Sequence, residues 1–236
     1  MNKSALSALT VAKLNIISVI VPNTSINSPL LVAASMYIAT NIIMLIVKLS
    51  GTENIGYASI GTWLFMLVLL SAMSITPGNF YRIINLGGKR KNFFEGCILT
   101  YIILAFSVSV LNTLIFYTLD VFMKNLGILS QSNIFETFNW VSHGVVVGCI
   151  MQFAFLLFIA ALVHTVMSIR LRWSTLVIFL IIVFTVILVK PLYNAVSQFF
   201  KIIFYHSNAF VQIISCLVLA AVIYAISLPV INRKRF

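Results

Sequence analysis

The chain has 236 residues, of which 61% are hydrophobic and 8% charged, and it carries a formal net charge of +11. Its mean hydropathy of +1.11 lies far above that of soluble domains, which are only about half apolar. Such a composition leaves nothing to cover a water-facing surface, so a sizeable soluble domain is excluded and lipid is the expected solvent.

Crossing a hydrocarbon core of ~30 Å takes about 20 helical residues. Residues 4–21 mix Leu6, Leu9, Leu14, Ile17 and Val21 with Ser7, Thr10, Lys13 and Ser18, which predicts an interfacial helix. Pro22, Asn23, Ser28 and Pro29 then break the chain before a first span at about Leu30–Leu49. "GTENIGY" reads as an outer turn, and a second span follows at Ala58–Thr76. Residues 77–95 form a basic loop, and the third span is placed at Cys97–Leu119. Asp120 to Trp140 reads as a polar outer segment before a fourth span at Val141–Met167. The fifth span, Thr175–Val189, borrows Leu192–Val196 and so covers 175–196; the sixth is Ala209–Ile231. Between them Leu192, Val196, Phe199, Phe200, Ile203 and Phe204 recur at helical spacing. This predicts short helices dipping into the outer leaflet, with Phe199, Phe200 and Phe204 as candidate outer-gate residues. The period is helical or continuous, never alternating, which argues against a β-barrel. The expected class is an all-α polytopic membrane protein with six transmembrane helices in one domain.

Cations sort by side. With six spans, Lys3, Lys13, Arg82, Lys89, Arg90, Lys91, Arg170, Arg172, Arg233, Lys234 and Arg235 share one side with both termini, while Lys48, Lys124, Lys190 and Lys201 take the other. Lysine and arginine bias sets orientation, so both termini and the 77–95 loop are expected in the cytoplasm.

Several chemistries are missing. All four carboxylates (Glu53, Glu95, Asp120, Glu136) fall in loops or at span ends, so a carboxylate proton relay within the membrane is not expected. His143 and His164 share the fourth span 21 residues apart, on the order of 30 Å along a helix, too far to hold one metal ion. Packing or interface roles account for them; no role is assigned to His206. Cys97, Cys149 and Cys216 fall in three different apolar runs and read as buried free thiols. The only Gly-Lys pair, Gly88-Lys89, is followed by Arg90 and lacks the glycine five residues upstream, so it is not a phosphate-binding loop. Any ATP and Mg must bind a separate chain. Nothing points to nucleic acid.

The conspicuous stretch is "RIINLGGKRKNFFEG", residues 82–96, where Arg82, Lys89, Arg90 and Lys91 crowd together between apolar runs. Gly87 and Gly88 permit a tight reversal. The four cations suit carboxylates on a partner, with Phe93 and Phe94 as apolar anchors. The alternative is that the cations merely hold topology, which alone would not ask for the glycines, and that the phenylalanines mark the interface where the third span starts.

Asn85-Leu86-Gly87-Gly88-Lys89-Arg90-Lys91-Asn92-Phe93-Phe94 resembles the N-x-G-x-[ST]-R-K-x-F-[FY] segment of the six-span permease subunits of the second class of bacterial ABC exporters. The likeness covers the chain in layout and about ten positions in residues. It implies a coupling helix between spans two and three that docks on a cytoplasmic ATPase subunit, formed here by Arg82, Asn85, Gly87, Gly88, Lys89, Arg90, Lys91, Phe93 and Phe94. It also implies a bacterial cell membrane location and a second permease subunit, identical or related. The pathway would be lined by the first, second and fifth spans, with Ser35, Ala39, Asn41, Ser71 and Ser74 as candidate residues; Ser35 and Ala39, at i and i+4, permit close helix approach. With no charge mid-span, the expected substrate is amphipathic or hydrophobic: a peptide toxin, a lantibiotic-like compound, a drug or a lipid. Lys89 departs from the family's Ser or Thr and cannot cap the next helix, a task Asn92 is expected to assume by starting that helix later. A secondary carrier and a non-transporting scaffold or immunity protein are the alternatives.

Overall fold

The computed structural model describes residues 7–21, 28–49, 59–125, 133–169, 197–198, 200–201 and 208–233. Among these every regular element is helical. In chain order they are α1 (Ala8–Ile20), α2 (Pro29–Leu49), α3 (Ile60–Asn85), α4 (Arg90–Asn125), a short α5 (Ile134–Thr137), a 3-10 turn at Trp140–His143, α6 (Val145–Ser168) and α7 (Ala209–Arg233). Four of them, α3, α4, α6 and α7, are long and apolar enough to cross a membrane. They match the expected second, third, fourth and sixth spans. The first expected span is also a helix, α2, whose apolar stretch Pro29–Ile43 is shorter than the others. The fifth, 175–196, lies outside the described residues.

The chain is apolar outside, and its polar side chains are held within, among an apolar core. Phe106, Leu114, Phe122, Val146, Phe210, Val218 and Ile226 are all exposed, whereas Asn15, Thr100, Ser109, Asn112, Gln152, His164 and Ser227 are fully buried. A soluble bundle does the reverse. Lipid makes exposed apolar side chains costless, while a polar side chain is best held against a neighbouring helix. Together with the four long apolar helices, this makes the protein membrane-embedded.

The centre is built by α3, α4 and α6. Phe65 of α3 stacks on Phe155 of α6 at 5.9 Å, and Phe80 of α3 meets Phe93 of α4 edge-on at 5.2 Å. Against this core α7 packs mainly on α6, where Thr165 Oγ1 donates to the Ile223 carbonyl at 3.2 Å. Under the polar segment before α6, Phe135 and Trp140 are completely buried and meet edge-on at 5.8 Å.

Several boundaries differ from the sequence reading. The second span does not stop at Thr76: α3 continues through Pro77 to Asn85, so the loop expected over 77–95 shrinks to residues 86–89. Proline removes one backbone donor, which in soluble helices ends or kinks the element. Membrane helices accommodate it because neighbouring helices and Ser/Thr side chains satisfy the freed groups. Likewise α4 runs past Leu119 to Asn125, its ladder widening to a π-turn at Phe116–Asp120. Asp120 is therefore helical and buried, not part of an outer loop. Nor does α4 start late at Asn92: it begins at Arg90, with Lys89 in the extended N-cap position and no side-chain cap.

The amino-terminal helix is not a detached surface element. Ser7 caps α1 by accepting from Thr10 N at 3.3 Å, and Val11, Asn15 and Val19 form a buried stripe at four-residue spacing. That stripe rests on α4 where Gly96 has no side chain: a Cβ there would lie 2.5 Å from Val11 Cγ1. The pairing of α2 with α3 is also unlike an in-register hairpin. Leu30–Tyr37 face Ile60–Leu67 across a cleft of about 190 Å³, leaving Ile42, Ile43, Leu45, Ile46 and Leu49 exposed.

Candidate functional site

The basic stretch is a rigid turn between two long helices. At the end of α3, Gly88 N donates to Ile83 O and Gly87 N to Ile84 O, both at 2.9 Å. These are the two bonds of a Schellman cap, which needs a left-handed residue just beyond the helix. Gly87 supplies it with φ 86°. A Cβ on Gly88 would lie 2.6 Å from Ile83 Cγ2 and 2.9 Å from the Ile83 carbonyl oxygen. Both glycines thus follow from the reversal itself. No separate helix stands between α3 and α4, so the coupling helix that the resemblance implies is here a four-residue turn.

The turn presents Arg82, Asn85, Leu86, Gly87, Lys89 and Lys91 to solvent, with Arg90 half-buried. Arg82 lies in the last turn of α3, where a cation complements the partial negative charge of the helix end. Lys91 reaches Glu95 one turn on, at 3.8 Å. The phenylalanines behave differently. Phe93 is fully buried against Phe80, and Phe94 is buried with its ring 6.4 Å from Tyr224 and 6.2 Å from His164. As apolar anchors for a partner they are misplaced, because they fasten α4 to the chain's own core. The cationic half of the motif faces outward and the aromatic half inward.

Behind the turn lie two buried polar contacts. Asn79 Nδ2 donates to Asn15 Oδ1 at 2.9 Å and to Ser18 Oγ at 2.8 Å, while Asn15 Nδ2 reaches Thr100 Oγ1 at 3.4 Å. Three helices, α1, α3 and α4, are pinned by this amide pair. One turn deeper, His164 Nδ1 pairs with the Thr76 hydroxyl at 2.8 Å and the Tyr101 hydroxyl at 3.2 Å, joining α3, α4 and α6. His164 is thus a packing residue in a polar, aromatic niche. His143 sits at the opposite end of α6, at the close of the 3-10 turn. No group of three or more His, Cys, Asp or Glu among the described residues is arranged to hold a metal ion.

The candidate pathway residues scatter. Ser35 and Ala39 are exposed on α2, and Ser35 Oγ donates to Val32 O at 2.8 Å. Asn41 Nδ2 donates to Tyr37 O at 2.8 Å, Ser71 Oγ to Leu67 O at 2.6 Å and Ser74 Oγ to Ser71 O at 3.2 Å. Each polar group therefore bonds to its own helix backbone, and Ser71 is fully buried. Of the outer-gate candidates Phe200 is exposed; Phe199 and Phe204 lie outside the described residues, as does His206.

One cluster went unnoticed in the sequence. Asp120 Oδ2 accepts from Ser59 Oγ at 2.8 Å and from Asn133 Nδ2 at 2.7 Å, and Asn133 also bonds Asn112 Oδ1 at 3.0 Å. All four side chains are buried. Together they tie the start of α3, the end of α4 and the segment before α5. Nearby, Lys124 pairs with Glu136. The signal that could have found the cluster is the spacing Asn112, Phe116, Asp120, one helical stripe of α4.

Fold and site together define a polytopic, α-helical, membrane-embedded protein with a capped cationic turn at one end and a buried carboxylate cluster at the other. No family model, no curated protein and no solved structure matches the chain.

Proposed function

We propose that this chain is the membrane subunit of an ATP-driven exporter, moving an amphipathic or hydrophobic substrate out of a bacterial cell with a separate cytoplasmic ATPase and a second permease subunit. The observation that carries this reading is the α3–α4 turn. It exposes Arg82, Lys89 and Lys91 at one reversal stiffened by two backbone bonds. A cationic plug at the end of two long helices is suited to pushing and pulling those helices when a partner moves. The cation sorting places this turn and both termini in the cytoplasm, in a six-span layout. Ser35, Ala39 and the exposed half of α2 would face the second subunit.

The reading is tested on membranes of the native host. The full chain, affinity-purified in mild detergent, should bring with it a P-loop protein and ATP hydrolysis, and the Arg82→Ala/Lys89→Ala/Lys91→Ala variant should lose both while inserting normally. Desolvated charge pairs contribute ~2 kcal/mol or more each, against under ~1 kcal/mol for exposed pairs, so losing three should weaken association by about ten-thousandfold. Equal recovery of ATPase with wild type and variant would reduce the cations to a topology signal and favour a scaffold.

A further inference from the structure

Because α7 leans on α6 and touches α4 only lightly, an open groove of about 400 Å³ remains between α4 and α7. Phe94, Ile98 and Ile102 form one wall, Leu157 the floor, and Ala221 and Tyr224 the other wall. The three α4 residues follow one another at four-residue spacing, hence on one face of the helix. The same stripe continues one turn back to Arg90, the first residue of α4. Long side chains lean toward the amino terminus of their helix, so a residue at Arg90 lies just beyond the end of the groove, on the side of the cationic turn.

We propose that this groove holds one acyl chain of an anionic phospholipid, with the phosphate at Arg90. Three observations point to this occupant. The lining is almost wholly apolar, which suits an alkyl chain and no polar solute. Ile102 and Leu217 on its rim are exposed, so the groove is continuous with the lipid-facing surface. From Phe94 to Ile102 the helix rises about 12 Å, most of the ~15 Å half-thickness of a bilayer core, so the groove stays within one leaflet. The groove needs no ATPase, so the proposal stands or falls apart from the exporter reading.

The test uses the purified full chain in phosphatidylcholine nanodiscs containing a minor share of phosphatidylglycerol with a diazirine on its acyl chain. Photolabelled positions are mapped by mass spectrometry, with an equally labelled phosphatidylcholine as the neutral probe. Labelling should concentrate on Ile98, Ile102 and Leu217 and exceed that by the neutral probe about fivefold, the effect of one cation near the headgroups. Arg90→Gln should erase that preference while the neutral probe still labels the groove. Ala221→Leu, which fills the groove with little risk to folding, should lower labelling by both probes. Labelling indifferent to headgroup in the wild type would overturn the proposal. So would labelling of Ile42 and Ile46 on α2 as strong as that of the groove, or loss of the preference on adding inorganic phosphate.

Discussion

Gly88 offers the sharpest test of the α3–α4 turn. Replacing it by Ala adds one methyl group, 2.6 Å from Ile83 Cγ2 and 2.9 Å from the Ile83 carbonyl oxygen. The side-chain contact is relieved by a rotamer change, but the carbonyl is fixed, since it accepts the Gly88 N–H of the cap. Overpacking of this kind costs about 1–3 kcal/mol, offset by the ~0.4–1 kcal/mol that Ala gains over Gly through the unfolded chain. Gly88→Ala should therefore lose about 1–2 kcal/mol. Gly87 faces a different penalty. Its φ of 86° lies in the left-handed region, where Ala costs about 1–2 kcal/mol and Asn is better tolerated. The expected order of stability is wild type, Gly87→Asn, Gly87→Ala, with Gly88→Ala no better than the last. Thermal loss of monodispersity in detergent, read by size-exclusion chromatography, ranks the four proteins. If Gly88→Ala matched or exceeded the wild type, the cap would be absent and the glycines would need another explanation.

Other substitutions probe the rest of the site. Asp120→Ala removes the acceptor of two hydrogen bonds, each worth ~1.5–3 kcal/mol with a charged partner, and should lower the detergent melting temperature more than Glu95→Ala at the exposed Lys91 pair. Phe93→Ala empties a fully buried site and should cost about 3–5 kcal/mol, so reduced yield should precede any loss of partner binding; normal yield would place the ring outside the core. Gln152 is fully buried with neither amide atom hydrogen-bonded among the described residues, and Gln152→Met should raise stability by about 1–3 kcal/mol in the same assay. A single cysteine at Leu86 in a chain freed of native cysteines should resist impermeant thiol reagents on intact cells, while one at Asn54 should react; labelling at Leu86 would reverse the proposed orientation.

What could be read in advance was set by composition and period. A run such as Val145–Ser168 announces itself because apolar residues fill every face. The ends were harder. Pro77, Arg82 and Asn85 carry the marks of a loop in water, yet α3 runs through all three. Hydropathy ends a span where the polar residues begin, whereas the backbone ladder ends only where a cap is offered, at Gly87 and Gly88. Burial direction was harder still. Phe93 and Arg90 share one short motif, and only the start of α4 at Arg90 sends one ring inward while its cationic neighbours line the turn. Contacts such as Asn15 with Asn79, or Asp120 with Ser59 and Asn133, join residues 64, 61 and 13 positions apart, and no local pattern encodes them. Asn15 shows why such pins form: a polar side chain among apolar ones needs either water or a partner, and here Asn79 and Thr100 are the partners.

Those pins bear on where a transported molecule could go. Inside one copy the described helices offer no free polar route, since Ser71 and Ser74 bond to their own backbone and Thr76 is held by His164 and Tyr101. Opening a path between α3, α4 and α6 would break the His164 contacts and separate the Phe65–Phe155 and Phe80–Phe93 pairs together, at a cost of several kcal/mol. Separating two copies along α2 breaks none of them, because Ile42, Ile43, Leu45 and Ile46 already face outward. An exporter built from this chain therefore has its cheapest route between subunits. On that reading the amide pair and the histidine niche would have a mechanical duty: by tying α1, α3, α4 and α6 into one body, they would let a displacement applied at Lys89 and Lys91 move the whole unit instead of bending one helix.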